Sequence, residues 1–184
     1  MRLSPQKLVF DFDGWKLCGV PIGSPASRFD FLGPEDTPFE EATLEPGFLG
    51  RLLGHRPRKE LRDDEALVYR ELGLYLECDG GTVCQFIFHI QPDPYLQMQP
   101  YPGRFVNGEQ EVGLSAQSTY DGVLALFPCG EGLEVEAEEG YIECVSGDYV
   151  LTFWFDEGRR LESVEALYDD TREALDEAWN SASE

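Results

Sequence analysis

The side chains with chemistry to offer are mostly acids, with a few clustered bases. Glu134, Glu136 and Glu138 alternate with Leu133, Val135 and Ala137, so a strand there carries one wholly acidic face, with Glu139 beside it. Such a face can bind calcium or a cationic protein surface. It lacks the Asp/Asn-Gly loop of a calcium hand, and a solvated sheet face is its simplest account. Arg51, Arg56, Arg58, Lys59 and Arg62 form a basic island that holds five of the 14 bases. The island can take an acidic partner or a phosphate ligand. Neutralising its own neighbours Asp63, Asp64 and Glu65 is the reading we favour. Other chemistries lack their residues. His55 and His89 are the only histidines, which leaves zinc without its usual ligands, and neither lies near a nucleophile elbow. No glycine-rich phosphate loop precedes a helix. The sequence therefore implies neither metal nor cofactor.

The charge sets the broader limits. Thirty-six acids against 14 bases, only three of them lysine, give −22 over 184 residues. That surplus repels nucleic acid and anionic membrane, and it favours solubility or a basic protein partner. A hydrophobic content of 42% with 12% aromatics argues for a folded core despite the charge. No apolar run approaches the length of a membrane span. The start, Met1 to Lys7, reads as no signal peptide, so a cytoplasmic address with reduced thiols is expected for Cys18, Cys78, Cys84, Cys129 and Cys144. Cys78 and Cys84 flank a Gly-Gly turn and could face one another across a hairpin.

The elements that must position these residues fall into a pattern with an internal echo. At an offset of 94, Gly14, Gly19, Ser24, Leu32 and Pro34 match Gly108, Gly113, Ser118, Leu126 and Pro128. Residues 6–12 read as a strand, Asp13-Gly14 as a tight hairpin turn, and Trp15 to Val20 as the return strand. Ser24 with Pro25 predicts a short helix ending at Gly33-Pro34. Residues 35–64 read as a loop insertion. Leu72, Leu74 and Leu76 alternate, and Val83 to Ile90 returns after Gly80-Gly81, the clearest hairpin in the chain. Residues 92–103 form a proline-rich connector. In the second half Asn107-Gly108 is a turn, Ser118 caps a helix, and strands follow at 133–138, 141–145 and 148–155. Leu161 to Leu167 fits helix or strand and is read as a strand by analogy with Val83–Ile90. A C-terminal helix with Leu175, Ala178 and Trp179 completes the reading. The fold class expected is α+β: two diverged repeats, 1–91 and 104–184, each antiparallel sheet with one short helix, plus the C-terminal helix, packed as one unit.

Two resemblances bear on function. Leu8-Val9-Phe10-Asp11-Phe12-Asp13-Gly14 resembles the first motif of the haloacid dehalogenase superfamily, which implies a magnesium-dependent phosphatase with Asp11 as nucleophile and Asp13 as acid/base. The match covers seven residues, and Trp15 replaces the family's usual Thr. Val150-Leu151-Thr152 and Asp169-Asp170, which could imitate the later motifs, lie too close together for the intervening strand, helix and strand. The second resemblance runs through Ile22-Gly23-Ser24, Leu32-Gly33-Pro34 and Leu72-Gly73-Leu74. It is to small α+β modules of the BamE and β-lactamase-inhibitor-protein kind and to uncharacterised bacterial immunity-type proteins. That implies tandem modules sharing a sheet, with a non-catalytic, protein-binding role, and carries over no functional residue. The expectation is thus a non-enzymatic acidic protein that binds a basic partner through Glu134, Glu136 and Glu138, or an acidic one through Arg56, Arg58 and Lys59. The competing expectation is the phosphatase.

Overall fold

The computed structural model describes residues 7–36, 66–127, 134–138 and 140–168. In chain order the strands are β1 (Val9–Asp11), β2 (Lys16–Leu17), β3 (Val20–Pro21), β4 (Ala66–Tyr69), β5 (Leu74–Asp79) and β6 (Thr82–His89). They continue as β7 (Arg104–Asn107), β8 (Gln110–Val112), β9 (Glu134–Glu138), β10 (Tyr141–Ser146), β11 (Tyr149–Phe155) and β12 (Leu161–Tyr168). Helical structure among the described residues is slight. It amounts to one α-helix, α1 (Tyr120–Leu126), and 3₁₀ segments at Ala26–Leu32 and Arg70–Leu72.

Alternation in the sequence makes the larger sheet. Leu74 and Leu76 of β5 pair with Phe88 and Phe86 of β6, and all four are fully buried. Gly80 and Gly81 turn the chain between them, both with positive φ, which glycine adopts without steric cost. A bulge after Glu77 then sets Cys78 against Val83. Cys84 donates its thiol to the Glu77 carbonyl at 3.5 Å, and no disulfide joins Cys78 to Cys84. Segment 161–168 is a strand, since Val164 and Ala166 point into the core opposite Phe88 and Phe86. The seven strands run β4-β5-β6-β12-β11-β10-β9, every pair antiparallel.

The smaller sheet runs β3-β2-β1-β7-β8, and its central pair, β1 with β7, is parallel. Phe10 and Phe105 sit side by side in that register and face the larger sheet. The Phe10 ring lies 4.8 Å from Phe88, and the Phe105 ring 5.3 Å from Phe88. Phe12 extends the layer towards Phe153 and Phe127. Each fully buried phenylalanine is worth about 2–3 kcal/mol of apolar transfer, so this interlayer aromatic cluster is the main cohesive element. A smaller apolar group sits on the opposite face of the larger sheet. There Met98, in the turn closed by Asp93 and Met98, packs on Ala66, Val68 and Tyr75.

The α+β expectation is overturned: the protein is a mostly β fold of two sheets. The helical segments among the described residues are at most seven residues long, too short to form a layer, and the first is a 3₁₀ segment rather than an α-helix. Residues 1–91 and 104–184 share both sheets, because β1 pairs with β7 and β6 with β12. What recurs at an offset of 94 is a hairpin, β1–β2 and β7–β8, a seven-residue helical segment, Ala26–Leu32 and Tyr120–Leu126, and the junction that leads into it. The Ser24 carbonyl accepts from Val83 N–H at 2.9 Å, and the Ser118 carbonyl accepts from Leu161 N–H at 3.0 Å. Neither serine caps its helix. Pro25 and Thr119 hold the cap positions, and the Thr119 hydroxyl accepts from Gly122 N–H at 3.2 Å. The first turn also differs from expectation. Asp11 pairs with Lys16, which leaves a four-residue loop around Asp13-Gly14, whereas Asn107 pairs with Gln110 across a two-residue turn. The C-terminal helix and nearly all of the 35–64 insertion lie outside the described residues.

Candidate functional site

Strand β9 is an edge of the larger sheet, and the ladder beside it assembles a mixed acidic and aromatic face. Glu138 pairs with Tyr141, and Tyr141 pairs with Trp154, so the three positions share one side of the sheet. The same ladder sets Glu136 opposite Glu143, and Glu134 opposite Val145. The opposite side carries Ile142, Cys144, Leu151 and Phe153, all buried in the core. The Tyr141 and Trp154 rings lie 5.3 Å apart. Trp154 is 36% exposed, and Glu138 is exposed. An indole beside carboxylates suits a guanidinium or ammonium group, which stacks on the ring while its charge is met by the acids. Trp154 was the residue to find. In the run Leu151-Thr152-Phe153-Trp154-Phe155 every residue but Trp154 is buried; parity sets Trp154 on the side away from Leu151 and Phe153, and it alone there reaches solvent.

The two aspartates of the dehalogenase-like motif lie in a different place, at the top of the smaller sheet. Asp11 Oδ1 accepts from Asp13 N–H at 3.0 Å and from Gly108 N–H at 2.9 Å. One oxygen therefore ties the β1–β2 loop to the β7–β8 turn, 97 residues away. Asp13 is exposed. Among the described residues no three His, Cys, Asp or Glu side chains are grouped to hold a metal ion. Arg56, Arg58 and Lys59 lie outside the described residues, as does Asp169-Asp170.

A concavity of about 670 Å³ opens on the outer face of the smaller sheet. Lys7, Lys16 and Asp11 supply its charges, and Val9, Val20, Phe31 and Val106 its apolar lining. Cys18 stands at its wall and donates its thiol to the Lys7 carbonyl at 3.4 Å. Burial raises the Cys18 pKa, with a backbone hydrogen bond from Val9 opposing it in part, so the group is a thiol rather than a thiolate at neutral pH. The nearby Tyr101 phenol is held protonated far above its ordinary range by burial and, secondarily, by Cys18. Tyr69 is likewise pushed up to about 12, first by burial and then by the Glu35 and Asp30 carboxylates. No helix among the described residues is long and apolar enough to cross a membrane. No protein family, curated protein or solved structure matches the chain.

Proposed function

We propose that the protein is a non-enzymatic binding protein whose acidic β9 edge docks a basic protein, in the manner of an immunity or inhibitor protein. The observation that supports this most is the Trp154–Tyr141 ring pair, with Trp154 exposed and Tyr141 half-buried, set in register with Glu138 and flanked by Glu143. Interfaces draw their energy from a few aromatic anchors, and a ring of like charge adds steering and selectivity. The chain's net charge of −22 supplies the long-range attraction to a cationic partner.

The test is to isolate a partner by affinity capture, identify it, and measure its Kd against salt and against Trp154→Ala. A basic partner is expected, with affinity that falls steeply as salt rises and drops about tenfold or more in Trp154→Ala. Tyr95→Ala, a change at an exposed ring on the 93–98 turn, should leave affinity unchanged. A partner whose affinity ignores both salt and Trp154 removes this reading. Magnesium-dependent hydrolysis of a generic phosphate ester, abolished by Asp11→Asn, would replace it with the phosphatase.

A further inference from the structure

The outer face of the smaller sheet carries apolar side chains where a merely solvated face would carry polar ones. Val9, Val20, Val106 and Phe31 line one concavity, whose volume of about 670 Å³ falls within the range of small-molecule sites. Two of the chain's three lysines, Lys7 and Lys16, stand in the same concavity. On a chain where acids outnumber bases 36 to 14, a lysine without a carboxylate partner is unexpected. Yet among the described residues neither lysine forms an ion pair; the pairs there are Arg104 with Glu111 and Arg159 with Asp121. The third charge, Asp11, is engaged by the N–H groups of Asp13 and Gly108.

The backbone around Lys16 is also held at a cost. Trp15 and Cys18 bracket β2 with φ of 54° and 52°, a left-handed conformation that side chains other than glycine rarely adopt. Strain of this kind, of order 1–3 kcal/mol per residue, persists where surrounding structure enforces it, often at ligand sites. Here it presents Lys16 on the open face. Its ammonium lies back over Gly14, where a methyl group would meet Nζ at 2.8 Å.

From the unpaired lysines and the apolar floor together, we infer that this concavity binds a small amphiphilic carboxylate. The apolar body rests on Val9, Val20, Val106 and Phe31, and the carboxylate faces the two ammonium groups. This site is separate from the β9 edge and does not depend on the protein-docking function.

Octanoate is the probe, followed by amide NMR shifts on the full chain. Octanoate should shift the amides of Val9, Lys16, Cys18 and Val106 saturably, and Lys16→Glu or Lys7→Glu should weaken binding by about tenfold. Arg159→Glu, which changes net charge equally at an exposed base paired with Asp121 outside the concavity, should leave it intact. Three controls decide the ligand class. Octylamine binding as tightly as octanoate would make Asp11 the recognition group and overturn the proposal. Acetate shifting the same amides as strongly would show that the apolar floor contributes nothing, and would overturn it too. Octyl phosphate binding while octanoate is silent would reject the carboxylate. Circular dichroism of each lysine variant shows that a loss of binding is not a loss of fold, and binding that survives both lysine changes refutes the site.

Discussion

Asp11 joins two turns with a single oxygen, which makes it a positioning residue for the loops on either side of the β1–β7 pair. Asp11→Asn keeps an acceptor at that position and should change stability by less than about 0.5 kcal/mol. Asp11→Ala removes two hydrogen bonds to a charged acceptor on a partly exposed group and should cost about 1–2 kcal/mol, read from the urea midpoint. Equal stability of both variants would mean that the bond to Gly108 holds nothing. Asp11 was visible in the sequence as half of an Asp-x-Asp-Gly pattern, but its partner Gly108 was not, since nothing local marks a contact across 97 residues. Lys7 and Lys16 were equally hidden. Neither belongs to a motif, and only the register of β1 and β2 brings Lys16 beside Asp11.

Among the elements, β5 and β6 show where sequence patterning succeeds. Strict alternation of Leu74 and Leu76 and a Gly80-Gly81 turn leave a hairpin as the one structure that buries every apolar side chain. Strand β12 was legible for the same reason once compared with β6. The helical segments misled because capping residues mark where a helix begins, not whether it grows long enough to form a layer. The turn into β5 makes a sharper claim. Gly73 has φ of 54°, and a Cβ there would collide with the Gln99 carbonyl oxygen and the Tyr101 backbone. The backbone of residues 99–101 cannot yield, because Tyr101 N–H donates to the His89 carbonyl at 2.6 Å and Gln99 N–H to the Arg70 carbonyl at 2.9 Å. Gly73→Ala should therefore cost about 3 kcal/mol or more. Gly147→Ala shares the left-handed φ but meets nothing within 4 Å, and should cost only about 1 kcal/mol. Similar losses from the two in chemical denaturation would show that the 99–101 backbone gives way.

For the whole molecule, a charge of −22 is both an asset and a stress. It steers a cationic partner, and it also repels itself in the folded state. Raising ionic strength from very low salt to about 0.15 M, where the screening length falls to about 8 Å, should raise Tm. A fall in Tm would mean that attractive surface pairs outweigh the repulsion. The charge could be read directly from composition, whereas the division of strands between two sheets could not, because both central pairings join distant parts of the chain. Strand β1 needs β7, and β6 needs β12. That arrangement has a consequence during synthesis. While the ribosome has delivered only the first hundred residues, β1 to β3 have no parallel neighbour, and Phe10 lacks the ring of Phe105 beside it. The larger sheet likewise waits for β12, which begins at residue 161, before its two halves meet. Until those partners are made the nascent chain carries open strand edges at β1 and β6, and its acidity keeps neighbouring copies apart in that interval.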